Sequence, residues 1–227
     1  MSRALFILAL LLFCVFVLFS YLVAKELYVQ FDFDTTVKIQ DRISPKWIGP
    51  YSILSVIGTV EISFLVWLAV AIFALIRKHW LFVLSLALLP ISQIIELYGK
   101  LFMFHPGPPF VFFKTQLPFQ FPSGYVHTDY SYPSGHAIRM TYLVAIALLL
   151  IIYRSKGLMR IFLVISLLIF LAAILVSRVY LGEHWTTDVI GGTLLGASLG
   201  ITSTLPIITR KSRLSRLQPE CSKKPVD

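Results

Sequence analysis

Two short polar strings interrupt an otherwise apolar chain, and their residue types are those that handle phosphate. The first string is proline, serine, glycine and histidine at 133–136, and the second holds Arg178, His184 and Asp188. A guanidinium matches phosphate oxygens with paired donors. A histidine beside a carboxylate can present one free ring nitrogen for attack on phosphorus. Together these residues could break a phosphoester bond, provided that the rest of the chain brings them to one place.

His184 and Asp188 are four residues apart, at the point where the chain enters its last apolar stretch. On a helical turn, residues at this spacing share one face. The carboxylate would then hold Nδ1 of the imidazole and leave Nε2 as a nucleophile. Thr186, Thr187 or Asp188 could also cap a helix N-terminus at this position, and the two interpretations are compatible.

Arg178 precedes His184 by six residues, so that a short turn would bring its guanidinium over the same pocket. A single arginine at a helix end usually anchors the helix at the membrane interface. Because His184 and Asp188 lie close by in the sequence, we interpret Arg178 as a phosphate-binding residue instead.

Ser134 and Gly135 stand at the start of the fourth apolar stretch, where the free amides and the positive end of a helix favour an anion. The same residues also make an ordinary helix start. His136 lies one residue further in, where it could donate a proton to a leaving oxygen.

The composition is that of a membrane protein. Hydrophobic residues make up 57% of the 227 residues, charged residues only 14%, and the mean hydropathy is +0.82. A soluble domain has a charged fraction of about 25%. The net charge of +9 comes from short basic clusters beside apolar runs, which argues against nucleic-acid binding.

Six apolar stretches predict an all-α, polytopic, six-transmembrane helix bundle with one membrane domain over residues 1–208. The stretches are 4–24, 51–76, 81–98, 136–153, 161–176 and 189–208. The first is too long for the apolar region of a signal peptide, so we interpret it as a retained anchor. Residues 209–227 are predicted to be a disordered, basic cytoplasmic tail.

The distribution of basic residues predicts the orientation. With alternating spans, twelve basic residues fall on the side of Arg3, Arg77 and Arg154, and seven fall on the other side. The positive-inside rule makes the first side cytoplasmic, together with both termini. The protein is therefore expected to be a multi-pass plasma-membrane protein with both polar strings on the extracytoplasmic face.

Two segments on the predicted extracytoplasmic side each fit two interpretations. Residues 25–50 mix acidic and basic residues with apolar ones, which fits either an interfacial helix or a solvated connector. Residues 101–132 hold ten aromatic residues and several prolines. Such a segment fits interfacial anchoring, or a lid that accepts an acyl chain.

The two strings, with the six-span count, resemble two of the three signatures of the type 2 phosphatidic acid phosphatase family, which is related to vanadium-dependent haloperoxidases. The family's remaining signature is a lysine, six residues, then arginine and proline. Here Lys100 is followed after six residues by Gly107 and Pro108, so the arginine is missing. Arg139, three residues beyond His136, is the candidate substitute. Other candidates are Lys114 and His105, or a pocket with less charge.

The resemblance implies three catalytic residues: His184 attacks phosphorus, Asp188 orients it, and His136 protonates the leaving oxygen. The implied phosphate-binding residues are Lys100, Ser134, Gly135 and Arg178, with Arg139 as the substitute. No metal and no cofactor are implied.

The resemblance also implies the substrate class, which is a lipid phosphate or diphosphate such as undecaprenyl diphosphate, phosphatidylglycerophosphate or phosphatidic acid. Expected partners are this substrate and membrane lipids, without nucleic acid, and the oligomeric state stays open. The alternatives are a lipid phosphotransferase with the same site and a non-catalytic lipid-binding protein.

Two carboxylates in the apolar stretches need partners. Glu96 lies four residues before Lys100, so it could aim the lysine or sit exposed at the rim of the membrane. Glu61 lies deeper in the second stretch, where a carboxylate indicates a functional or paired role.

Overall fold

The computed structural model describes residues 2–117, 119, 121–125 and 128–217, without the side chains of Tyr125 and residues 210–217, and every regular element in these ranges is helical. The helices are α1 (Ser2–Ala24), α2 (Val29–Arg42), α3 (Ile48–Val56), α4 (Val60–Ile76), α5 (Trp80–Ser85), α6 (Leu88–Phe102), α7 (Gly135–Arg154), α8 (Gly157–Tyr180) and α9 (Thr186–Leu217). Short 3₁₀ turns cover Pro45–Trp47, Phe110–Phe112 and Pro122–Tyr125.

Within the described residues, five helical segments are long and apolar enough to cross a membrane. They are Ser2–Ala24, Trp80–Phe102, Gly135–Arg154, Gly157–Tyr180 and Thr186–Thr209. The bent pair Pro45–Val56 and Val60–Ile76, with an angle of 46°, makes a sixth span if it is counted as one. The predicted all-α, polytopic fold is therefore confirmed.

In two segments, the structure adds helix to what the sequence predicted. Most of the first outer segment forms α2, a helix rather than a plain connector. At the other end, α9 continues to Leu217, nine residues past the predicted boundary at 208. The remainder of the predicted tail, residues 218–227, lies outside the described residues.

The centre of the bundle is the pair α7 and α9, which pack against each other more extensively than any other described helices. Glycines at every fourth position of α9 face α7. A Cβ at Gly192 would lie 2.5 Å from the carbonyl oxygen of Ser134, and one at Gly200 would lie 2.7 Å from that of Tyr142. A Cβ at Gly196 would collide with the carbonyl oxygen of Ile138. Small residues at this spacing let two helix backbones approach closely.

The break between α3 and α4 also shapes the interior. Gly58 lies in this break, and a Cβ there would lie 2.6 Å from Cδ2 of the His136 ring. The carbonyl oxygen of Gly58 accepts a hydrogen bond from Arg139 Nε at 3.2 Å. The bend therefore makes room for one α7 side chain and binds another.

Candidate active site

The polar strings meet in one cavity because α6 and α8 end, and α7 and α9 begin, at the same end of the bundle. The cavity has a volume of about 1090 Å³. Its walls include five of the residues singled out in the sequence: Lys100, His136, Arg139, Arg178 and His184. Tertiary packing thus assembles cations and imidazoles from three helices, α6, α7 and α8, and from the turn before α9.

His184 and Asp188 form a close pair at the start of α9. His184 Nδ1 lies 3.2 Å from Asp188 Oδ2, which also accepts the backbone N–H of Trp185 at 2.9 Å. Asp188 is fully buried, whereas the His184 side chain keeps 12% of its surface exposed. This geometry leaves His184 Nε2 as the ring nitrogen available to a ligand in the cavity.

The turn after α8 brings Arg178 and His184 together. Gly182 has φ of +70°, and a side chain there would collide with Phe112. The backbone N–H of His184 donates to the carbonyl oxygen of Arg178 at 3.2 Å. A glycine is needed at this turn because other residues rarely adopt that φ.

Arg178 is fully buried, and its charge is balanced by an acid that the sequence had not indicated. Its Nη1 donates to Glu183 Oε2 at 2.6 Å, and its Nε donates to Ser177 Oγ at 3.3 Å. Its Nη2 is buried without a hydrogen-bond partner among the described residues. A buried donor without a partner is costly, so this nitrogen is suited to a phosphate oxygen.

Glu96 connects the other two cations of the cavity. Its Oε1 accepts from Lys100 Nζ at 2.7 Å, and its Oε2 accepts from Arg139 Nη1 at 3.1 Å. Arg139 Nη1 also donates to Gln93 at 2.8 Å. A Cβ on Gly135 would collide with this carboxylate. Glu96 therefore sits between the cations and the first residue of α7.

The remaining predicted ligands of the first string have structural contacts. The Ser134 side chain caps α7 by accepting from the N–H of Ala137 at 3.5 Å, and its own N–H donates to the Asp188 carbonyl oxygen at 3.0 Å. Both Ser134 and Gly135 are buried. These contacts tie the start of α7 to the start of α9, next to the His184–Asp188 pair.

The two alternative cations from the aromatic segment lie elsewhere. The ammonium of Lys114 lies over the ring of Tyr180, 5.6 Å from its centroid. His105 lies behind Asp188, with its Nε2 3.3 Å from Asp188 Oδ1. Of the three candidate substitutes for the missing arginine, Arg139 is the one in the wall of the cavity.

The sequence did not indicate a partner for Glu61. In the structure, Glu61 binds the aromatic segment 101–132 beside the cavity. It accepts the N–H and the hydroxyl of Ser123, each at 2.8 Å. The aromatic rings of Phe113, Phe119 and Phe121 line the cavity beside this contact. The cavity wall thus has a charged part, formed by the cations and imidazoles, and an apolar part, formed by these aromatic rings.

Asp32 was considered only as a charge in an outer segment, yet it is 1% exposed and reaches α9. It accepts the N–H of Thr187 at 2.9 Å and its hydroxyl at 2.6 Å. Burial raises the pKa of Asp32 above its ordinary value, and these hydrogen bonds oppose the rise. No local spacing could have revealed this contact, because the two residues are 155 positions apart.

The model of the PAP2 superfamily matches residues 78–211, which include every residue predicted for the site. The chain belongs to the PAP2 superfamily. Over 87 residues it is 44% identical to an undecaprenyl-diphosphatase of Sulfolobus acidocaldarius. This match covers 35% of the chain and 37% of that relative, so the chain spans well under half of the relative's length.

Two solved structures share the fold of this PAP2 chain. The crystal structure of a PAP2-type phosphatidylglycerolphosphate phosphatase from Bacillus subtilis has a TM-score of 0.69 at 18% identity, covering 89% of this chain and 96% of that one. The crystal structure of Aquifex aeolicus LpxE has a TM-score of 0.55 at 21% identity, covering 76% and 94%. The all-helical fold of this chain is therefore shared with a PAP2-type phosphatase of known structure.

Proposed function

We propose that this PAP2 protein is a membrane lipid phosphatase that removes the terminal phosphate of a lipid phosphate or diphosphate. The observation that carries the proposal is the His184–Asp188 pair in a cavity where a buried arginine nitrogen, Nη2 of Arg178, has no hydrogen-bond partner among the described residues. Binding alone would not need a histidine whose second nitrogen is held by a carboxylate.

The proposed reaction has two steps. His184 Nε2 attacks phosphorus, the bond from phosphorus to the leaving oxygen breaks, and His136 gives that oxygen its proton. Water then loses a proton to His136 and attacks the phosphohistidine. The bond from phosphorus to Nε2 breaks, which releases inorganic phosphate and restores both histidines. Asp188 orients the imidazole throughout and stabilises its positive charge.

Positive charge around the cavity supports the transition state. Arg178 offers Nη2, which has no partner among the described residues, to an equatorial oxygen, and Lys100 and Arg139 add charge from the cavity wall. Phosphoryl transfer depends mainly on such positioning and electrostatic stabilisation. We assign Arg139 the part of the missing signature arginine. Ser134 and Gly135 contribute through the position of the α7 N-terminus, which favours an anion.

The cavity also indicates the kind of substrate. Its aromatic side, with Phe113, Phe119 and Phe121, suits the chain of a lipid whose phosphate lies among the cations. The named activity of the Sulfolobus relative makes an isoprenoid diphosphate the first candidate, and phosphatidylglycerophosphate and phosphatidic acid are also compatible. We place the site on the extracytoplasmic face, with both termini in the cytoplasm, on the basis of the basic residues.

A phosphate-release assay tests the proposal. Purified protein in detergent is given undecaprenyl diphosphate, phosphatidylglycerophosphate and phosphatidic acid, each with and without EDTA, and we expect release from at least one of them in both conditions. Substitution His184→Ala should abolish this release, because it removes the nucleophile. His79→Ala changes a histidine at the opposite end of the Trp80–Phe102 span and serves as the control.

Three outcomes would contradict the proposal. Undiminished release by His184→Ala would refute the nucleophile. Release that EDTA abolishes would refute the metal-free mechanism. No release from any lipid, together with transfer to an added acceptor alcohol, would make the protein a phosphotransferase.

A further inference from the structure

Asp188 has a second polar neighbourhood on the side away from His184. It consists of Asp32 from α2, Thr187 from α9 and His105 from the segment before α7, and we call these three residues the Asp32 cluster. Their exposed fractions are 1%, 0% and 5%. Groups buried to this degree must satisfy one another, because water cannot.

Within the Asp32 cluster, Thr187 donates both of its protons to Asp32. Its N–H and its hydroxyl both donate to Asp32, at 2.9 Å and 2.6 Å. The single hydroxyl proton of Thr187 is therefore committed to Asp32. Towards His105 Nε2, which lies 3.2 Å away, Thr187 Oγ1 presents only lone pairs.

His105 Nε2 consequently faces acceptors alone. Thr187 Oγ1 lies at 3.2 Å, Asp188 Oδ1 at 3.3 Å and Asp32 Oδ2 at 3.8 Å. A ring nitrogen among three oxygens that cannot donate must itself carry hydrogen. On the remaining side, the ring meets Tyr132 edge-on, at a centroid distance of 6.1 Å.

The outer oxygen of the catalytic carboxylate depends on this proton. Asp188 Oδ1 is buried and accepts no hydrogen bond from any described residue, so the nearby His105 Nε2 supplies its electrostatic compensation. No three His, Cys, Asp or Glu side chains in the described part of the chain are placed to hold a metal ion.

We propose that His105 is a positioning residue for the nucleophile: its Nε2–H, fixed by Asp32 through Thr187, pairs with Asp188 Oδ1 and keeps Oδ2 directed at His184. The proposal rests on the proposed function, since it assigns a role relative to His184. It also extends the site beyond the matched range 78–211, because Asp32 belongs to α2. The N-terminal helix α2 thereby becomes part of the catalytic apparatus.

Steady-state kinetics of matched variants test this role. His105→Leu removes the donor, and we expect kcat to fall about 10- to 100-fold while KM changes less than about twofold, as is typical when a partner that orients a reactive histidine is lost. His105→Gln places an amide N–H near the position of Nε2 and should recover most of kcat. Asp32→Asn, which weakens the anchor of Thr187, should fall between these two.

A control variant separates positioning from packing. Thr35→Val removes a hydroxyl contact of 2.8 Å to Thr186, which joins the same two helices. The Thr35 hydroxyl also lies 3.1 Å from the backbone carbonyl oxygen of Asp32, but it contacts no side chain of the Asp32 cluster. We expect Thr35→Val to keep kcat, and melting temperatures are measured for all variants. Unchanged kcat in His105→Leu would overturn the proposal. So would equal losses in His105→Gln and His105→Leu, or losses that follow the melting temperature in every variant, Thr35→Val included.

A second measurement is independent of turnover. In protein labelled with ¹⁵N-histidine, we expect the resonance of His105 Nε2, identified by its loss in His105→Gln, to show an attached proton. An unprotonated Nε2 would overturn the proposal. If the wild-type protein releases phosphate from no lipid, the proposed function fails, and this resonance still decides the state of His105.

Discussion

At the scale of single residues, the site is notable for how completely its cations are compensated. Glu96 binds both Lys100 and Arg139, and Glu183 binds Arg178. Neutralising partners are expected for charges buried near a membrane interior. An incoming phosphate must therefore compete with Glu96 for Lys100 and Arg139, two of the three cations in the cavity wall.

Replacement of Glu96 by glutamine should strengthen the binding of orthovanadate, a phosphate analogue. The amide removes a negative charge and keeps an acceptor oxygen for Lys100 or Arg139. Unit charges about 4 Å apart interact by about 4 kcal/mol at an effective dielectric constant of about 20, so a roughly tenfold lower inhibition constant is a cautious expectation. The inhibition constant for phosphate release gives the measurement.

The exposed Glu26 supplies the control for that measurement, since Glu26→Gln makes the same change far along the chain from the cavity residues. Weaker vanadate inhibition in Glu96→Gln would show the opposite role, in which the carboxylate holds Lys100 in a binding position. That result would support the role predicted from the four-residue spacing, in which Glu96 orients Lys100.

At the scale of elements, the pair α7 and α9 fixes the distance between the two strings. The glycines at 192, 196 and 200 let the helix backbones touch, and the N–H of Ser134 then reaches the carbonyl oxygen of Asp188. Glycines at this spacing are typical of closely packed membrane helices, but the spacing alone does not identify the partner helix.

Gly196→Ala should separate these helices and reduce both stability and activity. Overpacking of this kind costs about 1–3 kcal/mol, and about 2–4 °C of melting temperature is lost per kcal/mol in a protein of this size. Melting in detergent and phosphate release are the two measurements. Gly49→Ala is the matched control, because a Cβ there meets no atom within 4 Å. Equal melting temperatures for the two variants would contradict the close-packing role.

At the scale of the whole molecule, the helix order places the cavity at the end of the bundle opposite the loop between α7 and α8. The proposed orientation of that bundle in the membrane rests on the basic residues, twelve on the predicted cytoplasmic side against seven on the other. A lipid headgroup in the outer leaflet could then reach the cavity.

Labelling of single cysteines checks the orientation. In a chain with Cys14 and Cys221 replaced by serine, a membrane-impermeant maleimide should modify Phe110→Cys in intact cells, because this residue is 86% exposed near the cavity end. Lys156→Cys, in the exposed loop between α7 and α8, should react only after the membrane is opened. The reverse pattern would place the cavity on the cytoplasmic side.

The amino-acid sequence by itself determined the features that depend on local spacing. Long apolar stretches predicted the spans, because a hydrocarbon core of about 30 Å needs about 20 apolar residues. The four-residue interval predicted the contact between His184 and Asp188, because a helix places such residues on one face. The bend at Gly58 lay beyond these rules, since it depends on contacts with α7 that are distant in the sequence.

Only the tertiary structure decided how the buried charges are balanced. Arg139 and Glu96 are 43 residues apart, and Asp32 and Thr187 are 155 apart, so no periodicity links them. A buried charge takes whichever partner the packing of the helices brings within reach, since an unpaired one is costly. For this reason the sequence indicated the residues that we propose to react, while the packing selected the residues that contact them.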